Sequence, residues 1–287
     1  MAQKLAVLQS MWAMERRHTH RAERTLDANI AMISDAGFAG ISTQCVDAAA
    51  VRRTMDCLQG RGMLIEGMCF PATVDDLKPC LELAAEMGVH HLNLQPDVRP
   101  RTVAEALRVI EGWRQLAEQV GFPVLIETHR DRMTTDLFFV LDLLDEMPDL
   151  PLLADLSHFL VGREFAWPIS AEHHEMIHRV LDNSWALHGR VASREQVQVE
   201  ISFPHHRMWL DLFLNWWRYG ITSWRKRAEP DDTLCFTCEL GPKPYAITGR
   251  DGNDTTNRWE EAITLKAAIE DLWTAEVDEP RPAATGG

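Results

Sequence analysis

The feature that most limits what this chain can fold into is an alternation, repeated eight times, of short β-rich runs with amphipathic helical stretches. The β-rich runs cover residues 5–8, 38–43, 64–70, 89–95, 124–129, 152–157, 185–191 and 234–240. The helical patterns cover 25–36, 47–59, 73–87, 102–120, 134–147, 170–181, 211–217 and 259–273. Gly37, Gly60, Gly88 and Gly121 stand just past four of the helical stretches, where a C-cap residue belongs. Asp75 and Asp76 sit in the first turn of the third stretch, and Pro148 and Pro168 punctuate later boundaries. Eight β-then-α units spaced mostly by roughly 25 to 35 residues predict an α/β fold, a closed (β/α)8 TIM barrel. Such a barrel takes about 250 residues. The reading is one domain over 1–276, with the Pro/Gly/Ala-rich end, 277–287, as a disordered tail. The seventh unit is long and leaves a segment at 193–210, rich in His, Arg and Trp, for the C-terminal face of the barrel, where active sites lie.

Charge narrows the partners. The chain has 29 Lys+Arg against 43 Asp+Glu, a formal net charge of −14. Without a visible basic patch, so acidic a chain repels a phosphate backbone, so no nucleic-acid partner is expected. No run reaches the roughly 18 apolar residues of a membrane helix, so no membrane is expected either. The apolar start, 4–14, lacks a small-residue cleavage site and reads as the first strand of a cytoplasmic protein. The six cysteines are expected as free thiols. Cys235 and Cys238 form a CxxC, but three residues apart on a strand they point to opposite faces.

The chemistry is carried by polar residues embedded in runs that should be buried. The last four runs each hold one near the C-terminal end: Glu127, Asp155, His188 and Glu239. A bare buried carboxylate costs several kcal/mol, so it is paired, protonated or on a metal. Three carboxylates and one imidazole, at one height on adjacent strands, converge on one point and predict a divalent-cation site. The oxygen-rich set suits Mn²⁺ or Mg²⁺, with Co²⁺, Fe²⁺ and Zn²⁺ also accommodated. Alternation along the strands puts His129 on the face of Glu127 and Arg190 on the face of His188. His158 follows three after Asp155. A polyhydroxylated or keto-acid substrate needs donors of this kind.

At these residues the chain resembles the xylose isomerase-like barrel superfamily, the sugar phosphate isomerase/epimerase group, over about 1–275. The resemblance lies in Glu127-Thr-His-Arg130, Asp155-Leu-Ser-His158, His188-Gly-Arg-Val191 and Glu239-Leu-Gly-Pro-Lys-Pro-Tyr245. It implies that Glu127, Asp155, His188 and Glu239 ligate a metal, often Mn²⁺. It further implies that the two glutamates exchange the proton at the reacting carbon and that His158 holds substrate. The implied activity is a sugar isomerase or epimerase, working by α-proton abstraction through a metal-stabilised enediolate, with homo-oligomers common. One departure stands out. Arg190 lies only two residues past the His ligand, as a basic residue does in inosose-dehydratase-like members, whereas the epimerase arginine lies farther on. The same enolate chemistry supports β-elimination, so a dehydratase or a 3-keto-glycoside-cleaving lyase is the alternative. Arg190, His158, Trp12 and Lys243 are the substrate-binding candidates, and His129 is a candidate proton shuttle. Trp12, Trp209, Trp216 and Trp217 are read as sugar-stacking or core residues, with the core preferred for each.

Four rival features need an answer. His174-Glu-Met-Ile-His178 is an HExxH, the zinc-protease helix motif, with Glu195 or Glu200 as conceivable third ligands. It falls in the helix after the sixth strand and is expected on the outer ring, away from any site. An abasic-site endonuclease would share the barrel but needs basic loops and extra ligands, and a non-catalytic binding barrel would hold no metal. Arg16-Arg-His-Thr-His20 reads as a solvated helix start rather than a mouth loop, and His90-His91 as structural residues at the barrel bottom. His205-His206 divide evenly between substrate contact and surface.

Overall fold

The computed structural model describes residues 2–16 and 23–278. Residues 17–20 of the Arg16–His20 run and the tail from 279 lie outside the described residues. Eight parallel strands close a barrel in the order β1 to β8. They are β1 Lys4–Ser10, β2 Gly40–Gln44, β3 Leu64–Cys69, β4 His91–Leu94, β5 Val124–Glu127, β6 Leu152–Ala154, β7 Ser184–Gly189 and β8 Thr233–Cys238. The helices are α1 Leu26–Asp35, α2 Ala48–Leu58, α3 Val74–Met87, α4 Val103–Ala117, α5 Leu137–Glu146, α6 Ser157–Gly162, α7 Ala171–Leu181, α8 Arg207–Arg227 and α9 Arg258–Asp278. Single 3₁₀ turns at Trp12–Met14 and Pro204–His206 complete the main elements. The (β/α)8 barrel expected from the alternation is the fold.

Local sequence explains the boundaries. Thr25, Asp47, Thr73, Thr102, Asp136 and Ser170 each cap a helix by accepting a backbone N–H three residues on. Each such cap is worth about 1 kcal/mol. Thr73 and Asp76 form a reciprocal capping box. Gly88 ends α3 at φ 67°, a left-handed conformation that costs glycine nothing and a residue with Cβ about 1–2 kcal/mol. Gly121 has no such role, because α4 has already ended at Ala117. The helical pattern at 134–147 starts late, at Leu137, because Asp136 takes the N-cap.

Two larger differences concern the site. The sixth β-rich run stops at Ala154, and Ser157–Gly162 is the short helix α6, nucleated where Ser157 N–H and Oγ–H both turn back to Asp155 Oδ1. The helix of the seventh unit, α8, is 21 residues long where the sequence pattern covered seven, and its Trp-rich face packs inward. The long segment ahead of it is therefore shorter than 193–210 suggested. Gln198 pairs with Gly241 through both its amide atoms, at 3.1 and 2.7 Å, and Glu200 Oε1 accepts the Ile247 N–H at 2.8 Å. These bonds clamp the segment after β8.

The main apolar core lies between strands and helices, where Trp113, Trp216, Trp217, Trp224 and Phe213 are fully buried. Each removes roughly 150–250 Å² from water. Trp209, Trp216 and Trp217 are core residues, as preferred from sequence. Cys238 joins this layer and Cys235 faces the barrel interior, so the CxxC does point two ways. The interior itself is unusual. Its apolar cluster is small: Ala6, Leu8, Leu125, Leu153, Ala186 and Cys235. Bulky branched residues dominate most barrel interiors. Here Glu66, His91, Asn93, Glu127, His188 and Thr237 are also fully buried. That polar filling decides where the chemistry sits.

Candidate metal centre

Glu127 ends β5, Asp155 follows β6, His188 lies in β7 and Glu239 follows β8. One ligand atom from each comes within 4.8 Å of all the others, and all four residues are buried. The register pairs Glu127 with Leu153 and His188 with Thr237, two residues before Asp155 and Glu239, the kind of stagger that strand tilt gives a closed barrel.

Each side chain is aimed by a partner. Asn93 on β4 donates to Glu127 Oε2 and leaves Oε1 facing the cluster. Ser157 occupies Asp155 Oδ1, which leaves Oδ2 facing inward. His188 Nδ1 lies 3.0 Å from Glu239 Oε2 and 3.8 Å from Glu127 Oε1. Its Nε2 lies 2.9 Å from Glu66 Oε1, which reaches across the barrel from β3. Arg190 Nη2 meets Glu239 Oε2 at 2.7 Å, and Arg190 Nε lies 3.4 Å from Asp155 Oδ2.

The donor set fits a divalent cation. Glu127 Oε1 and Asp155 Oδ2 are buried oxygens without a hydrogen bond. A buried acceptor left unmade costs about 1–3 kcal/mol, more when charged. Two such oxygens converging with a third carboxylate and an imidazole leave room for oxygen-preferring chemistry of the Mn²⁺ or Mg²⁺ kind.

Ionisation differs between the two glutamates. Burial, with Glu239 and Asp155 adding to it, pushes the Glu127 carboxyl up to about 8 against the pull of His188. Burial would raise Glu239 too, but the Arg190 guanidinium and His188 outweigh it and hold Glu239 below the usual range. Asp155 is likewise held low against burial, by His158, Arg190 and Ser157. Burial opposes charge on His188, yet Glu66, Glu239 and Glu127 raise it well above an ordinary histidine.

Beside the cluster opens a cavity of about 420 Å³, within the range of small-molecule sites. Trp12, Gln95, His129, Arg190, Glu239 and Tyr245 are in its wall. Trp12 meets Tyr245 edge-on at 5.0 Å, and the Arg190 guanidinium lies 5.4 and 5.0 Å from these two ring centres. A Cβ at Gly241 would lie 2.3 Å from the Trp12 ring, so only glycine there lets the indole rest against the segment after β8. His129 donates through Nδ1 to the Arg130 carbonyl and packs 4.0 Å, ring to ring, from His158. Burial first, then His158, depress His129 to about 3. Burial also lowers His158, against Asp155 3.3 Å away. Neither His158 ring nitrogen makes an aligned hydrogen bond.

Of the sequence-derived candidates, Trp12, His129, Arg190 and Glu239 line this cavity, and His158 lies behind His129. Lys243 does not; it lines a neighbouring cavity with Arg24 and Arg258, its Nζ donating to the Gly252 carbonyl. His205 and His206 are not in the wall, and His206 Nδ1 bonds the Glu200 carbonyl at 2.8 Å. A larger cavity of about 490 Å³ opens near Pro123, Pro151 and Trp185, at the opposite end of the strands from the carboxylates. Sequence reasoning missed Glu66, Asn93 and Tyr245. Glu66 carried the same signal as Glu127, Asp155 and Glu239, a carboxylate inside an apolar run, but on β3.

The HExxH has other work. Trp216 Nε1 donates to His174 Nδ1 at 3.0 Å, and His178 stacks on Tyr219 with ring centres 3.7 Å apart. α7 packs between α5 and α8, outside the barrel. The double variant His174→Ala/His178→Ala is expected to keep the divalent-cation content of the native protein, measured by elemental analysis. Loss of the cation would return the motif to consideration.

Residues 69–206 match the model of a family described as xylose isomerase-like TIM barrel. Among solved structures, a sugar phosphate isomerase/epimerase from Parabacteroides distasonis superposes with a TM-score of 0.60 at 10% identity, covering 96% of each chain. AsbF of Bacillus anthracis, described as a probable 3-DHS dehydratase involved in petrobactin synthesis, gives 0.58 at 14% identity, covering 93% of this chain and 98% of that one. An AP endonuclease of family 2 from Brucella melitensis gives 0.50 at 12% identity, covering 81% and 92%. At such identities these likenesses speak to the fold alone. No curated protein sequence matches the chain.

Proposed function

We propose that this chain, a closed (β/α)8 barrel whose residues 69–206 match the xylose isomerase-like TIM barrel family, is a divalent-cation-dependent sugar isomerase or epimerase that moves a proton at a carbon next to a carbonyl. The observation that carries this reading is the pair Glu127 and Glu239. The two stand in one buried cluster with Asp155 and His188, Glu127 at the end of β5 and Glu239 just past β8, and Glu239 also lines the cavity beside it. Two carboxylates that reach one cluster from different strands are what a site needs to take a proton and return one.

Glu127, Asp155, His188 and Glu239 would hold the cation, Mn²⁺ before Mg²⁺, Co²⁺, Fe²⁺ or Zn²⁺. When bound it supplies Lewis-acid stabilisation of the negative charge that develops on substrate oxygen as the α-proton leaves. The protein's own groups do the rest. One glutamate abstracts the proton and the other delivers it, on the opposite face or at the neighbouring carbon. Arg190, whose Nη1 has no hydrogen bond, is free to donate to a substrate oxygen while its Nη2 holds Glu239. His129, with Nδ1–H already committed, offers Nε2 as an acceptor for a substrate hydroxyl. Ser10, Ser42 and Gln95 supply further polar contacts in the cavity wall, as a small polyhydroxylated sugar or keto-sugar requires.

One observation favours a second reading. His158 is buried beside Asp155, its Nε2 3.3 Å from Asp155 Oδ2 and its Nδ1 without a partner. Set behind His129, which lines the cavity, such a group can feed a proton toward a departing hydroxyl or alkoxide, which turns the same proton abstraction into β-elimination. An NMR screen in D₂O of ketoses, inososes and 3-keto glycosides, with the Mn²⁺-loaded protein, separates the two. Deuterium incorporation without elimination is expected. Loss of water or aglycone would make the protein a lyase, and no exchange with any class would remove the enolisation reading.

A further inference from the structure

We propose that Glu66 is a positioning residue that fixes which nitrogen of His188 meets the cation. The proposal rests on the reading of the cluster as a divalent-cation centre. Glu66 belongs to β3, which contributes none of the four candidate ligands. It is fully buried, in the middle of the barrel.

The two nitrogens of His188 face different ways. Nδ1 faces Glu239 and Glu127, and Nε2 faces Glu66 Oε1 at 2.9 Å. To ligate a cation His188 must give up one proton, and the neutral imidazole then carries one N–H and one lone pair; whichever group the N–H serves decides where the lone pair points. Glu66 is surrounded by groups that can donate. His188 Nε2 approaches Oε1, while His91 Nε2 and the Thr237 hydroxyl approach Oε2, each at 3.0 Å. An ionised carboxylate only accepts, so all three partners must donate. His188 then carries its proton on Nε2, and the Nδ1 lone pair points into the cluster. With Nε2–H of His91 donating to Glu66, a neutral His91 has Nδ1 as an acceptor, and His90 Nδ1, 3.0 Å away, can then serve as its donor. Hydrogen bonds from three strands (β4, β7 and β8) therefore all run toward Glu66. Outer carboxylates that orient a metal-bound histidine typically change metal affinity by about 10–100-fold when removed.

Glu66→Gln tests this with little change of shape. Glutamine offers one oxygen and one NH₂ where three donors converge. If the NH₂ faces His188, the proton moves to Nδ1 and closes the ligand position. If it faces His91 and Thr237, His188 loses a charge-assisted partner. Calorimetric titration with Mn²⁺ is expected to show about 10–100-fold weaker binding by the variant than by the native protein. The spectroscopic signature is independent of the variant. In the native protein loaded with diamagnetic Zn²⁺, ¹⁵N NMR of the imidazoles should place the His188 proton on Nε2 and the cation on Nδ1. Native-like Mn²⁺ affinity in Glu66→Gln overturns the role of Glu66 alone. If the variant does not fold, the NMR assignment decides, and a proton on Nδ1 of the loaded protein overturns the proposal. A native protein that binds no Mn²⁺ or Zn²⁺ overturns the cation centre, and the role of Glu66 with it.

Discussion

Replacing Glu127 with glutamine is expected to reduce substrate–solvent proton exchange by about 10²–10⁴-fold, the usual weight of a general acid–base group. The fold should tolerate the change. The glutamine oxygen can still accept from Asn93, as Glu127 Oε2 does now. Its NH₂ would then replace Oε1, the unpaired oxygen that faces the cluster, so the variant loses a candidate ligand atom together with the base. An amide there can neither accept the α-proton nor deliver one. Deuterium incorporation followed by NMR measures the loss, and elemental analysis reports cation content in the same sample. Exchange that persists with the cation still bound would remove Glu127 from proton transfer and leave Glu239 and the histidines to account for it.

Cation binding should stabilise the protein more at pH 8 than at pH 6. Glu127 is raised to about 8 in the folded protein, from 4.5 in the unfolded chain. A group whose folded pKa is raised contributes stability that is fully present below the unfolded value and is lost as pH rises through the folded one. The cation-free protein therefore loses this contribution between about pH 4.5 and 8. His188, also raised, has the same sign. A cation must displace the Glu127 proton at pH 6 but meets a half-ionised carboxyl at pH 8. Each displaced proton makes apparent affinity about tenfold tighter per pH unit. Because Glu127 is only half ionised at pH 8, the gain over pH 6 is roughly fiftyfold, or about 2.3 kcal/mol, at a fixed excess of cation. In a chain of this size it corresponds to about 5–10 °C of additional melting-temperature gain. Thermal melts of chelator-treated protein with and without Mn²⁺ at pH 6, 7 and 8 measure it. An equal gain at all three would mean that the cation does not compete with these protons.

Much of the architecture was legible because it is local. Helix starts at Thr25, Asp47, Thr73, Thr102 and Ser170 are written in the residues that cap them. The four candidate ligands were legible because each is a charged residue near the C-terminal end of an apolar strand run. What was not legible depends on distances across the barrel axis. Nothing in the sequence says that Glu66 on β3 reaches His188 on β7, or that Asn93 on β4 steadies Glu127 on β5. Both sit in apolar runs, but a carboxylate or amide there is equally compatible with a rim pair. Helix α6 was missed because its cause, Ser157 folding back on Asp155, is a bond between two polar residues in a run that otherwise reads as strand. Helix α8 was underestimated because its ten buried positions include tryptophans, a glycine and a serine, which blur the apolar period.

The polar filling of the barrel also bears on how such a protein can be rebuilt. Barrel enzymes lend themselves to grafting, in which strand ends and loops are moved to a new chassis and the interior stays as inert support. Here a graft of the β5–β8 ends would carry Glu127, Asp155, His188 and Glu239 but leave behind Glu66, His91 and Asn93, which hold two of those four from β3 and β4. The recipient would have all four candidate ligands and only part of their orientation. For this chain the smallest transferable unit is the whole inner wall, and a library confined to the mouth loops would vary the substrate while leaving the centre intact.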